Sequence, residues 1–193
     1  MIALLRALLV QTIYAPADAA RVIIGIILPR KAAWMALVLA AILNTLVFFL
    51  REMLIPLPPG LLLPAFQTPA IYLAALFSFT TMVVFAIYWI GRVLDGKAEL
   101  PDLVSLIAWL FCVQSAADLV ALVLFVFVPM LAGLFSMAAA LYGIWILINF
   151  ITVAQGYPDK VKAVLTIVLA LVGLITGFSL FVSVLGVTAM AIS

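Results

Sequence analysis

A chain of 193 residues that is 70% apolar and 8% charged lies far from a soluble domain, where about a quarter of residues carry charge. A net charge of +2 without interleaved basic and aromatic residues excludes nucleic acid as a partner. With no histidine and a single cysteine, Cys112, the chain lacks the commonest general base and metal ligand, an internal disulfide and a cysteine-based metal site. No phosphate-binding loop, nucleotide fingerprint or nucleophile elbow appears, so a non-enzymatic protein without cofactor is expected.

Residues 1–31 form a first unit. Ile2, Leu5, Leu9 and Ile13 recur at helical spacing. Pro16 is placed to open a second helix, with Asp18 in its first turn, where the dipole favours an anion. Asp18, Arg21 and Gly25 then share a polar face, and Val22, Ile23, Ile26 and Ile27 cover the rest. The pattern predicts amphipathic helices lying along a membrane surface, with Arg21, Arg30 and Lys31 at headgroup level. A cleaved signal peptide fits less well. The apolar run after Arg6 stops at Val10, short of the roughly 7–15 residues such a segment needs.

Residues 32–193 form the second unit, with five apolar segments at about 32–50, 70–90, 103–128, 130–153 and 163–192. Each suffices to cross a hydrocarbon core, which takes roughly 20 residues. The fold class predicted is an all-α polytopic transmembrane bundle of five spans with N-terminal interfacial helices. Eight of the nine Lys and Arg residues fall on one face, and only Arg51 falls on the other. Positive charge stays inside, so the N-terminus is expected in the cytoplasm and the C-terminus outside, as in a bacterial inner membrane. Between the first two spans, residues 53–69 carry five prolines yet remain apolar. Such a segment cannot be a continuous helix and belongs at the outer interface, or inside only where other spans cover it. Spans three and four meet at Pro129 and should be antiparallel neighbours. The fifth span exceeds a bilayer's needs, so it must tilt, emerge or break near Gly186. Its Gly173 and Gly177 make a small-xxx-small pattern suited to close helix packing, within the chain or between copies.

One intramembrane feature resembles a site. Asp118 falls near the middle of span three, and Gln114 precedes it by one turn on the same face. Asn44 and Asn149 are further embedded amides. A carboxylate at that depth costs about 2.5–3.5 kcal/mol. It either lines a polar pocket or ion path, or joins helices as a hydrogen-bonded group; the second reading is preferred. No Lys or Arg is expected at matching depth.

Several residue groups together resemble bacterial members of the Yip-domain family, five-span proteins related to the Rab-GTPase-interacting Yip proteins. They are Pro16 to Ile23 running into Pro29 and Trp34, the loop Gly91-Arg92-Val93-Leu94-Asp95-Gly96-Lys97, Asp102 with Ala108-Trp109-Leu110, and Trp145 with Asn149 and Phe150. The resemblance covers most of the chain as a pattern rather than one strict motif. It implies an integral membrane protein that self-associates and has no enzymatic chemistry. Eukaryotic members carry a long hydrophilic N-terminal region with an Asp-Leu-Tyr-Gly-Pro element, and this sequence has neither, so Rab binding does not carry over. Gly91 and Gly96 are read as turn residues, Trp109 as an interface anchor and Asn149 as an interhelical hydrogen-bonder. The expected function is a membrane scaffold whose partners are lipids, other proteins and further copies of the chain. The alternative is a small transporter or channel built around Asp118.

Overall fold

A computed structural model describes residues 2–56 and 64–192, with the backbone alone described for 2–4, 64–65, 181–182 and 184–192. In chain order the helices are α1 (Ile2–Tyr14), α2 (Pro16–Gly25), α3 (Arg30–Leu54), α4 (Pro69–Val93), α5 (Leu100–Phe127), α6 (Pro129–Gln155) and α7 (Lys160–Ile192), with one 3-10 turn at Pro64–Gln67. Proline sets several of the starts. Pro16, Pro69 and Pro129 are each the first helical residue, and Pro101 is the second of α5. There the missing N–H removes nothing the helix would have used. Gly156, at φ 67°, closes α6 in the left-handed conformation, and the Tyr157 N–H reaches back to the Thr152 carbonyl at 3.0 Å.

Helices α3 to α7 are each long and apolar enough to cross a membrane. All five expected spans exist and most extend past the expected bounds. Arg30, Lys31, Arg92 and Lys160 lie inside the terminal turns of their helices, so charge marks the edge of the apolar zone and not the end of the helix. The cations gather at one end of the bundle, called here the basic end; Arg51 lies near the far end. All four tryptophans, Trp34, Trp89, Trp109 and Trp145, sit in the half of their helix nearer the basic end, as an interfacial aromatic belt requires. Lys160 Nζ lies 3.9 Å from the centre of the Trp145 ring, a cation over an aromatic face.

Between helices in lipid there is little hydrophobic driving force, and close van der Waals packing holds the bundle together. Small residues on α3 provide it. Ala33, Leu37, Ala40 and Ala41 are fully buried at helical spacing, and α3 packs most extensively against α5. The core around them includes Val84 and Ile87 of α4, Val104 and Ile107 of α5, and Ala163 of α7. Residues Leu103 to Ala108 are buried without interruption, so α5 is enclosed on every side at the basic end.

The far half differs. Helix α7 runs unbroken past Gly186, which leaves tilting or emergence, of the three alternatives, to absorb its length. Its residues Leu171, Val172, Ile175, Phe178 and Leu180 are exposed. Among the described residues a side chain at Gly173 or Gly177 would meet nothing within 4 Å, so these glycines join no helices there, and the tight seam is the alanine face of α3. Of the proline-rich stretch, residues 57–63 lie outside the described residues.

The N-terminal helices dock on the bundle through one face and leave much of the expected apolar stripe outward. In α1 the buried residues are Leu8 and Thr12, while Leu5 and Ile13 are exposed. In α2 the buried face is Pro16, Ala19, Ala20 and Ile23, and Val22, Ile26 and Ile27 are exposed. The outward apolar residues suit lipid, as an interfacial helix requires, whereas the buried Thr12 needs a partner. It finds one: Trp109 Nε1 donates to Thr12 Oγ1 at 2.9 Å, and Thr12 donates to the Leu8 carbonyl at 2.7 Å. The Tyr142 hydroxyl adds a bond to the Ile13 carbonyl. Trp109→Phe is therefore expected to cost about 1 kcal/mol of helix docking. Hydrogen exchange should rise in α1 and stay unchanged in α6; uniform exchange in both would contradict this latch.

Candidate functional site

Asp118 projects from α5 nine residues before its far end, about 14 Å along the axis at 1.5 Å per residue. Gln114 Nε2 approaches Asp118 Oδ1 at 3.5 Å, one turn away on the same helix. A Cβ at Gly143 of α6 would lie 3.2 Å from Gln114 Oε1, so the absence of a side chain there makes room for the amide. Asn44 of α3 donates from Nδ2 to Ser115 Oγ at 3.4 Å. Three of the expected polar residues, Asp118, Gln114 and Asn44, thus lie close together at the junction of α3, α5 and α6.

Asn149 does not join them. It is buried six residues from the basic end of α6 and donates to the Trp145 carbonyl of its own helix at 2.7 Å. The shared amide chemistry suggested one cluster, but span four runs opposite to span three, so position 149 falls at the other end.

A cation borders the space around Asp118 from a shallower position. Arg51, three residues from the end of α3, lines two cavities together with Asp118. One, of about 140 Å³, is walled by Asn44, Val47, Phe48, Arg51, Tyr72 and Asp118. The other, of about 350 Å³, opens along Ile55, Leu122, Phe125 and Pro129 toward Ser136. A guanidinium on a long apolar stem reaches down from the interface, which a depth count by residue number does not capture. Tyr72 of α4 stacks on Phe48 with ring centres 4.3 Å apart and planes within 10°, and Phe49 meets its edge at 5.7 Å. The site therefore holds one carboxyl, one guanidinium, two amides and an aromatic wall, open toward the far end. Asp118 and Arg51 can hold opposite charges of a ligand. Nothing there resembles a nucleophile with its base.

On the other side of the α5–α6 pair lies an apolar groove of about 480 Å³ along Leu110, Val113, Phe135 and Ile146, with Leu9 and Ile13 of α1 at one edge.

The polar knot at the basic end was not expected from sequence. Gln155 is 1% exposed at the end of α6. Its Oε1 accepts from the Ala98 N–H at 3.2 Å, its Nε2 donates to the Ile87 carbonyl at 3.4 Å, and its own carbonyl accepts from the Lys97 N–H at 2.9 Å. A Cβ on Gly91 would stand 2.0 Å from Gln155 Nε2, and one on Gly96 2.1 Å from Gln155 Oε1. Among the described residues the one glycine at positive φ is Gly156; the left-handed residue of this turn is Asp95, at φ 64°. Gly91 and Gly96 are thus required by close approach rather than by turn geometry. Tyr157 adds its hydroxyl to the Gly91 carbonyl at 3.3 Å and to Thr166 Oγ1 at 3.0 Å. The α4–α5 and α6–α7 connections are fastened into one plug. A buried Gln after an apolar run, beside two glycines five apart in another loop, was the available signal.

Of the expected headgroup residues, Arg21 pairs with Asp18 on the exposed face of α2, and Arg30 and Lys31 are exposed at the start of α3.

The sequence matches the Yip1 domain over residues 10–189. Comparison with curated proteins and with solved structures gives no match.

Proposed function

Starting from a chain that belongs to the Yip1 domain family, we propose that it is a non-enzymatic membrane organiser that holds lipids and partner proteins in place and moves no solute across the membrane. The carrying observation is the contrast between the two halves of the bundle. At the basic end, Leu103 to Ala108 are buried without a gap, and Gln155, Tyr157 and Thr166 bond to one another's loops and helices. A conduction path would need polar groups in series through that layer. At the far end, apolar faces of α5, α6 and α7 stand open to lipid. Such faces suit lateral contacts with acyl chains, with other membrane proteins or with a second copy through the unfilled Gly173–Gly177 face. The charge split supports a cytoplasmic basic end, an orientation in which Arg21, Arg30 and Lys31 would meet inner-leaflet headgroups.

The test is flux. Purified chain in liposomes should pass protons and monovalent cations no faster than empty liposomes, under a pH gradient or a membrane potential. A wild-type flux above that background, lost in Asp118→Asn, would replace this reading with the transporter one.

A further inference from the structure

The Asp118–Arg51 site is organised more closely than helix joining requires. Both residues line two adjoining cavities at once. A simple cation entering here would meet Asp118 favourably and Arg51 unfavourably. A simple anion would meet the reverse. A ligand carrying both charges matches both walls. The smaller cavity adds the aromatic rings of Phe48 and Tyr72 and the Asn44 amide beside the carboxyl, a setting that favours an ammonium group. The larger one leads away along Ile55, Leu122 and Phe125, surfaces suited to an apolar tail. Arg51 lies near the far end of α3, the level at which a phosphate of the adjoining leaflet would sit.

From this geometry we infer that the far-end site binds an amine-bearing phosphate zwitterion, its ammonium at Asp118 and its phosphate at Arg51. Phosphatidylethanolamine of the adjoining leaflet and soluble phosphoethanolamine both present this chemistry. Guanidinium is well matched to phosphate, and a carboxylate sheltered from bulk water holds an ammonium more firmly than one at the surface. The site depends on its own geometry, so a bundle that recruits no partner protein would still carry it.

The full chain in detergent, given an equimolar mixture of phosphatidylethanolamine and phosphatidylglycerol with the same acyl chains, tests this by native mass spectrometry. Both lipids carry the phosphate; only the first carries the ammonium. Wild type should retain the ethanolamine lipid about tenfold over the glycerol lipid, the worth of one charge-assisted hydrogen bond. Asp118→Asn should bring the two toward equality. Arg51→Gln should weaken both, and Arg51→Lys should recover part of the loss. Arg21→Gln, on the remote face of α2, should change nothing. Phosphoethanolamine that displaces the bound lipid would identify the soluble zwitterion as sufficient; lipid retained against it would assign the site to the leaflet. Equal retention of the two lipids by wild type would overturn the inference, as would an undiminished preference in a folded Asp118→Asn protein.

Discussion

Gly91→Ala should lower the stability of the bundle by about 2–3 kcal/mol, the combined cost of overpacking and of a buried group left unpaired. The new methyl would occupy the place of the Gln155 amide, 2.0 Å from Nε2. Glutamine is flexible, but this one cannot swing away freely. Moving it strips the Ala98 N–H and the Ile87 carbonyl of a partner in a buried layer. Gly96→Ala should behave alike, with the added obstacle of the Gly91 carbonyl 2.7 Å from the new methyl. The diagnostic variant is the double one. In a Gln155→Ala background the space is already open, so Gly91→Ala should cost well under half its single-variant value. Thermal unfolding in detergent, followed by circular dichroism, measures all four corners of this cycle. Additive losses would show that Gly91 matters for another reason.

Asp118→Leu carries the second large effect. Leucine keeps the bulk of the side chain and removes its polar atoms, leaving Gln114 without its Asp118 contact and Arg51 facing an apolar wall. The expected loss is about 1–3 kcal/mol, the cost of leaving a sheltered polar group without its partner. Asp118→Asn retains a carbonyl for Gln114 and should stay close to wild type. The same thermal measurement separates them. A Leu variant as stable as wild type would mean the carboxyl contributes nothing to holding the helices.

How much of this was legible in the sequence differs by region, and the reason is physical. Five apolar runs separated by charge give five spans because lipid imposes one rule on every residue that faces it. Proline at the first turn marked the starts of α2, α4 and α6 by its missing donor. Faces were harder to read. In water an apolar residue points inward; in a membrane it points inward or outward with little difference, so buried Leu8 could not be told from exposed Leu5 by hydropathy. Polar residues were better guides, because each must find a partner. Asp118, Gln114 and Asn44 drew attention for that reason and lie together. Asn149 did too, but it bonds within its own helix. Arg51 was read only as the one cation on the outer face, and Gln155 was not read at all, because both stand at the ends of spans, where a sequence offers water as the obvious partner. The chain instead directs Arg51 toward Asp118 and buries Gln155 against two glycines.

Thiol accessibility tests the central contrast, a sealed basic end beneath an open far end, most directly. The chain has one cysteine, Cys112, so Cys112→Ala clears the background for single replacements. Val104→Cys probes the fully buried layer, and Ala121→Cys probes the wall of the larger far-end cavity. A membrane-impermeant maleimide is applied to vesicles of each orientation. Ala121→Cys should react from the side of the far end, and Val104→Cys from neither side. Labelling of Val104→Cys from the basic side would mean that water enters the plug, and the reading of this protein as a closed membrane organiser would fail.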